Sequence, residues 1–231
     1  MSGRQWQRLG ALAGFLFVAL TFATIFAPSE PDAEEPTSTI AQAISDDRTA
    51  HVFFTYLGEI GAVVFLLFVA ALWNILRRAE SEAGASMVAL MGGLGFSVIE
   101  IGRHGAFLAL VEAADKGREQ AAIRALLELD NTLFTGSVFF LVAFHAGVSL
   151  SVIPLRSLPI WLGWWAAALA LLFAITALGI FSEDYDGPLF GVLLPLGLLA
   201  HLLWVLAASL MILRTGRADR DMQAGGHARR E

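Results

Sequence analysis

A chain of 231 residues with 57% hydrophobic and 16% charged residues carries more apolar surface than a soluble domain can bury, so lipid must cover the excess. The net charge of −6, with basic residues scattered near segment ends, argues against a nucleic-acid partner. No cysteine is present, which excludes disulfides and thiolate chemistry, and the single lysine, Lys116, lies in a polar link, which rules out a retinal Schiff base within a span.

Six apolar runs are long enough to cross a bilayer core of about 30 Å at about 1.5 Å per residue. The first, Leu9 to Ala27, follows Arg4 and Arg8. It exceeds the apolar region of a signal peptide and ends without a small-residue cleavage site, so it reads as a retained anchor. Pro28 to Ala50 opens acidic and proline-rich, hence solvated. Further on, Thr39 and Gln42 make a capping-box pattern, and Ile40, Ala41 and Ile44 predict a short helix on the membrane surface.

His51 to Leu76 is the second span, interrupted by Glu59 and ended by Arg77 and Arg78. Ser86 to Val111 is the third and contains Glu100, Arg103 and His104. The spacing of Ala121, Ala122, Ile123, Leu126 and Leu127 predicts that the fourth helix begins outside the membrane, which Leu133 to Ile153 then crosses. Pro154 and Pro159 bracket a tight turn before the fifth span, Ile160 to Phe181. Ser182 to Gly187 is an acidic link, and Leu189 to Leu213 is the sixth span, where Pro195 is expected to kink the helix.

The expected fold is therefore all-α: a polytopic integral membrane bundle of six transmembrane helices filling residues 1–213, followed by a disordered cytoplasmic tail over 214–231. Lys and Arg near span ends stay on the cytoplasmic side. With both termini cytoplasmic, the inner segments hold ten arginines, from Arg4 and Arg8 through Arg77, Arg78 and Arg156 to the tail, whereas the outer ones hold only Arg48, Lys116, Arg118 and Arg124. The preference for Arg, Ala and Gly over Lys suggests a bacterial source and so a multi-pass protein of the bacterial cytoplasmic (inner) membrane.

Four strings recur in a characteristic order: Asp46-Asp47-Arg48 before the second span, Leu76-Arg77-Arg78-Ala79-Glu80 after it, Leu129-Asp130-Asn131 entering the fourth, and Leu158-Pro159-Ile160-Trp161-Leu162-Gly163-Trp164 opening the fifth. In this the chain resembles a bacterial family known as domain of unknown function 4386, particularly its actinobacterial members. The resemblance implies six helices over most of the chain; it implies no established activity and no catalytic residues.

Charges within spans are expensive, by about 2.5 to 3.5 kcal/mol on insertion scales, so each needs a partner or a purpose. Ser97, Glu100 and His104 share one stripe of the third span with Arg103 beside it. Helix geometry places Glu59 at the depth of Arg103, and an ion pair between them is expected. The expected ligand-binding or proton-linked polar cluster is Glu59, Glu100, Arg103, His104, Asn131 and His201, in the outer half of the bundle. Asn131, Thr135, His145 and Ser149 fall close to one stripe of the fourth span, and His201 lies six residues after Pro195.

No cofactor is expected; a b-type haem held by His145 and His201, which lie at similar depths, is a lesser alternative, lacking a second matched histidine pair. No metal-ligand string such as His-Glu-x-x-His occurs, and the glycines of a nucleophile elbow are missing around Ser137, so no catalytic residue is assigned. The leading reading is a membrane protein that binds or moves a small solute or a proton at the polar cluster. One alternative is a structural or accessory protein whose charges lock the helices together; another is a haem- or metal-binding enzyme. The lipid bilayer is the expected partner, and Gly10-xxx-Gly14 and the Gly92, Gly93, Gly95 group could pack helices within one chain or in a homo-oligomer.

Overall fold

The computed structural model describes residues 3–29, 35–82, 84–178 and 188–227, with side chains from 5 to 178 within those ranges and from 191 to 214. Seven helices make it up: α1 (Gly3–Thr24), α2 (Thr37–Asp46), α3 (Arg48–Ala79), α4 (Gly84–Asp115), α5 (Gln120–Leu155), α6 (Ile160–Leu178) and α7 (Pro188–His227). All but α2 are long and apolar enough to cross a membrane. The described residues contain no strand. The acidic stretch 30–34, the end of the fifth span (179–181) and the link Ser182 to Gly187 lie outside the described residues.

The six long helices form a closed ring, each packed on its neighbours in chain order, with α1 completing the circuit against both α3 and α7. The interior is aromatic: Phe65, Phe68, Phe144, Phe173 and Trp204 are almost wholly buried. Phe65 meets Phe144 and Phe96 edge to face with centroids 5.7 and 5.6 Å apart, and the Trp204 indole N–H donates to the Leu162 carbonyl at 3.0 Å. The outer faces are apolar too, with Leu12, Leu16, Phe22, Leu150, Trp164 and Leu171 exposed, which suits a surface that meets acyl chains.

Glycines set the closest crossings. A Cβ on Gly92 would fall on the Phe144 backbone, and one on Gly147 would fall on the backbone of Ala89 and Ala85, so α4 and α5 touch at two reciprocal points. Gly10 abuts Ala71 and Gly14 abuts Ser209, so both glycine groups serve packing within this chain. These contacts bring the start of α1 to the end of the bundle where α3 finishes and α7 reaches Arg214. Both ends of the ring of spans thus emerge together, beside Arg77, Arg78 and Arg156.

At about 1.5 Å per residue, the 36 residues of α5 extend about 54 Å, longer than a core of about 30 Å, and its first turns pack against α2. There the structure corrects the place of α2. Ile40 and Ile44 are fully buried, but against Phe107, Leu110, Val111, Ile123 and Leu127 rather than on lipid, so α2 forms a small cap with the ends of α4 and α5. The capping box is not used: the helix starts three residues earlier, with Pro36 rather than Thr39 at its N-cap, and no side chain caps it. Gly117, at φ +58°, supplies the left-handed turn between α4 and α5.

Helix α7 continues to His227 through most of the segment expected to be a disordered tail; Arg, Ala, Met and Gln favour helix, and no proline follows Pro195 to stop it. Residues 228–231 of that tail lie outside the described residues.

Candidate functional site

At the capped end, the ring opens into a cavity of about 230 Å³ between α1, α3 and α4. On α3 it is lined from His51 to Ala62 and on α4 from Phe107 to Phe96, a span of twelve residues on each, or a depth of about 16 Å. Ala27 and Pro28, just past α1, lie at its mouth, and Phe17 and Phe96 form its floor.

Polar side chains enter this wall because of helix register. On α3 the inward positions are His51, Thr55, Gly58, Ala62, Phe65, Val69, Leu72 and Leu76, alternating four and three residues apart. On α4, Glu100, Arg103 and His104 lie on adjacent turns, and Arg103 Nε donates to Glu100 Oε2 at 3.2 Å. Arg103 Nη1 reaches Asp130 Oδ2 on α5 at 3.5 Å, and its guanidinium lies 5.3 Å from the centre of the Phe134 ring. Arg103 Nη2 lies 3.2 Å from His104 Nε2. Since a guanidinium only donates, Nε2 accepts and the imidazole proton belongs on Nδ1. That nitrogen and Glu100 Oε1 are buried without a hydrogen-bond partner. Such orphans mark places where a water, an ion or a ligand belongs.

The structure thus gathers three of the six expected residues, Glu100, Arg103 and His104, into one wall. The other three are placed elsewhere. The Glu59–Arg103 ion pair is not formed, Glu100 and Asp130 taking the guanidinium instead. Glu59 is half-buried one residue past the inward register, where Gly58 faces the site; a Cβ on Gly58 would come within 2.6 Å of the His104 ring. Asn131 is exposed, because the buried position on that turn of α5 belongs to Asp130. Asp130 and His51 were not singled out from sequence; the buried registers of their helices are the signal that could have found them.

His201 belongs to a second site below the cavity floor. Its Nδ1 lies 2.9 Å from His145 Nε2, joining α7 to α5, and both rings are buried. Phe17 and Phe96, which floor the cavity, also touch His201, with centroids 6.1 and 6.2 Å away. Phe65, Phe144 and Phe173 close the remaining sides. An iron bound by both imidazoles would need a porphyrin plane between them, and a direct N···N contact leaves no gap for one. As packed, the pair does not fit the haem alternative.

A third polar group, unmarked by sequence, ties down the opposite end. The Glu80 carboxylate accepts from Ser86 N at 2.9 Å, Ser86 Oγ at 2.7 Å and Ser151 Oγ at 2.5 Å, pinning the α3–α4 turn to α5. At the capped end, Arg48 pairs with Glu112 at 3.4 Å and Asp115 at 3.2 Å, and Lys116 pairs with Glu112. Two of the cations on that face are thus matched by carboxylates.

Among the described residues, no three His, Asp or Glu side chains converge in a way that could hold a metal ion. Compared with protein-family models, curated proteins and solved structures, the chain matches none.

Proposed function

We propose that this is a multi-pass membrane protein that binds a small solute, and carries it or a proton, through the cavity between α1, α3 and α4. The observation that carries this reading is a chamber of about 230 Å³ whose wall holds Glu100, Arg103 and His104 while two of their buried polar atoms lack partners. A chain that needed these charges only to hold its helices together would pack them shut. The capped end is the outer side in this reading, since Arg77, Arg78, Arg156 and Arg214 lie at the other end, in keeping with both termini in the cytoplasm of a bacterial cell. The resemblance to the family of domain of unknown function 4386 belongs to the same proposal.

A second reading, an interhelical latch, is favoured by one network, in which Glu100 holds the Arg103 guanidinium where Asp130 of α5 meets it. Replacing Glu100 by Gln separates the two. Glutamine keeps the shape and one acceptor for Arg103, so for a binding site the melting temperature of the purified chain should stay within about 4 °C of wild type. A latch predicts a fall of about 8 °C or more, which would overturn the proposal.

A further inference from the structure

The cavity wall is selective in its chemistry. It carries one guanidinium, Arg103, which is already engaged by Glu100 and Asp130 and turns its remaining amino group toward His104. An anion entering would meet a committed cation and the Glu100 carboxylate, with the uncharged His104 Nδ1–H as its one unpartnered donor among these three side chains. A cation would meet Glu100, which is 8% exposed and whose Oε1 lacks a donor. Two threonines of the wall favour the same sign: Thr24 Oγ1 donates to the Thr21 carbonyl and Thr55 Oγ1 to the His51 carbonyl, so each offers the cavity only lone pairs. Four phenyl rings, Phe17, Phe54, Phe96 and Phe107, are the largest apolar groups of the wall, and the face of such a ring attracts cations. A divalent metal ion favours several converging charged or imidazole ligands, and among the described residues no three His, Asp or Glu side chains converge. The volume exceeds the roughly 150 Å³ known to hold benzene, leaving room for one ring or a short alkyl chain with its head group.

We infer that the solute is a small organic ammonium, its charged nitrogen donating to Glu100 and its apolar body lying among the phenyl rings. This rests on the reading of the cavity as a binding site and names what enters it. Three probes of one shape and different charge test it on the full chain in lipid nanodiscs: benzylammonium, benzyl alcohol and benzoate, each titrated at pH 7 with melting temperature as the readout. Benzylammonium should raise the melting temperature saturably, binding at least tenfold more tightly than the other two. Its effect should vanish in Thr24→Trp, which fills the mouth, and weaken at least tenfold in Glu100→Gln. The wild-type comparison of the three probes stands even if a variant fails to fold. Benzyl alcohol or benzoate binding as tightly as the amine, and lost in Thr24→Trp, would overturn the ammonium assignment while leaving the cavity a binding site. No response to any probe would overturn both. An amine response unchanged in Thr24→Trp places binding elsewhere and overturns the assignment.

Discussion

Glu80, part-buried, and Glu100, buried, are both carboxylates at helix contacts, and their partners differ sharply. Glu80 receives three donors on its two oxygens, all from Ser86 of α4 and Ser151 of α5. Glu100 receives one donor on one oxygen and borders a void. A carboxylate that only holds structure is satisfied by the fold itself, as Glu80 is; one left half-satisfied beside a cavity awaits something the fold does not provide. The same contrast separates the two ends of the bundle, one locked and one open.

Substitutions should break the two ends in different ways. Gly147→Leu, at the α4–α5 crossing, forces a side chain onto the backbone of Ala89 and should cost more than about 3 kcal/mol, seen as loss of the monodisperse folded chain. Glu80→Ala strands the donors of Ser86 and Ser151 and should cost about 2 kcal/mol in thermal unfolding, with probe binding unchanged. His201→Phe removes one half of the imidazole pair and should cost about 1 kcal/mol, with a coupling to His145→Phe of similar size in a double-mutant cycle. The direct contact of those rings also predicts no Soret absorption from the purified chain. Glu100→Gln should have the smallest effect on stability of the four and the largest on ligand affinity. If Glu80→Ala abolished probe binding, or Glu100→Gln unfolded the chain, the distinction between the ends would fail.

Much of this architecture is legible in the sequence because bilayer thickness dictates the length of each apolar run, and the burial of a helix stripe dictates the spacing of Ile40 and Ile44. The grouping of Glu100, Arg103 and His104 is legible for the same reason, since residues three and four apart share a face. Register is not legible to one residue: the inward position on α3 belongs to Gly58 rather than Glu59, and on α5 to Asp130 rather than Asn131. Polarity within a span suggests an inward side chain. The alternation of four and three on α3, carried by small and aromatic residues, outweighs that suggestion, because the face that packs is set by the whole helix. His201 differs. Its depth matches that of His145, the neighbour it meets, but its separation from Glu100 and Arg103 depends on the order of helices around the ring, and no single helix carries that information. Glu80 lay in a link where a charge needs no explanation, so nothing marked it until Ser151 was seen to reach it.

The claim of an open cavity at one end and a packed core at the other is tested most directly by thiol labelling, because the chain has no cysteine of its own and carries no background. Thr21→Cys places a thiol in the cavity wall and Ser209→Cys places one in the packed half, each a near-isosteric change. In reconstituted membranes, a small water-soluble thiol reagent should modify the Thr21→Cys variant from the side bearing α2 and not from the arginine-rich side, and should leave the Ser209→Cys variant untouched from either. Equal inertness of both variants from both sides would contradict the account.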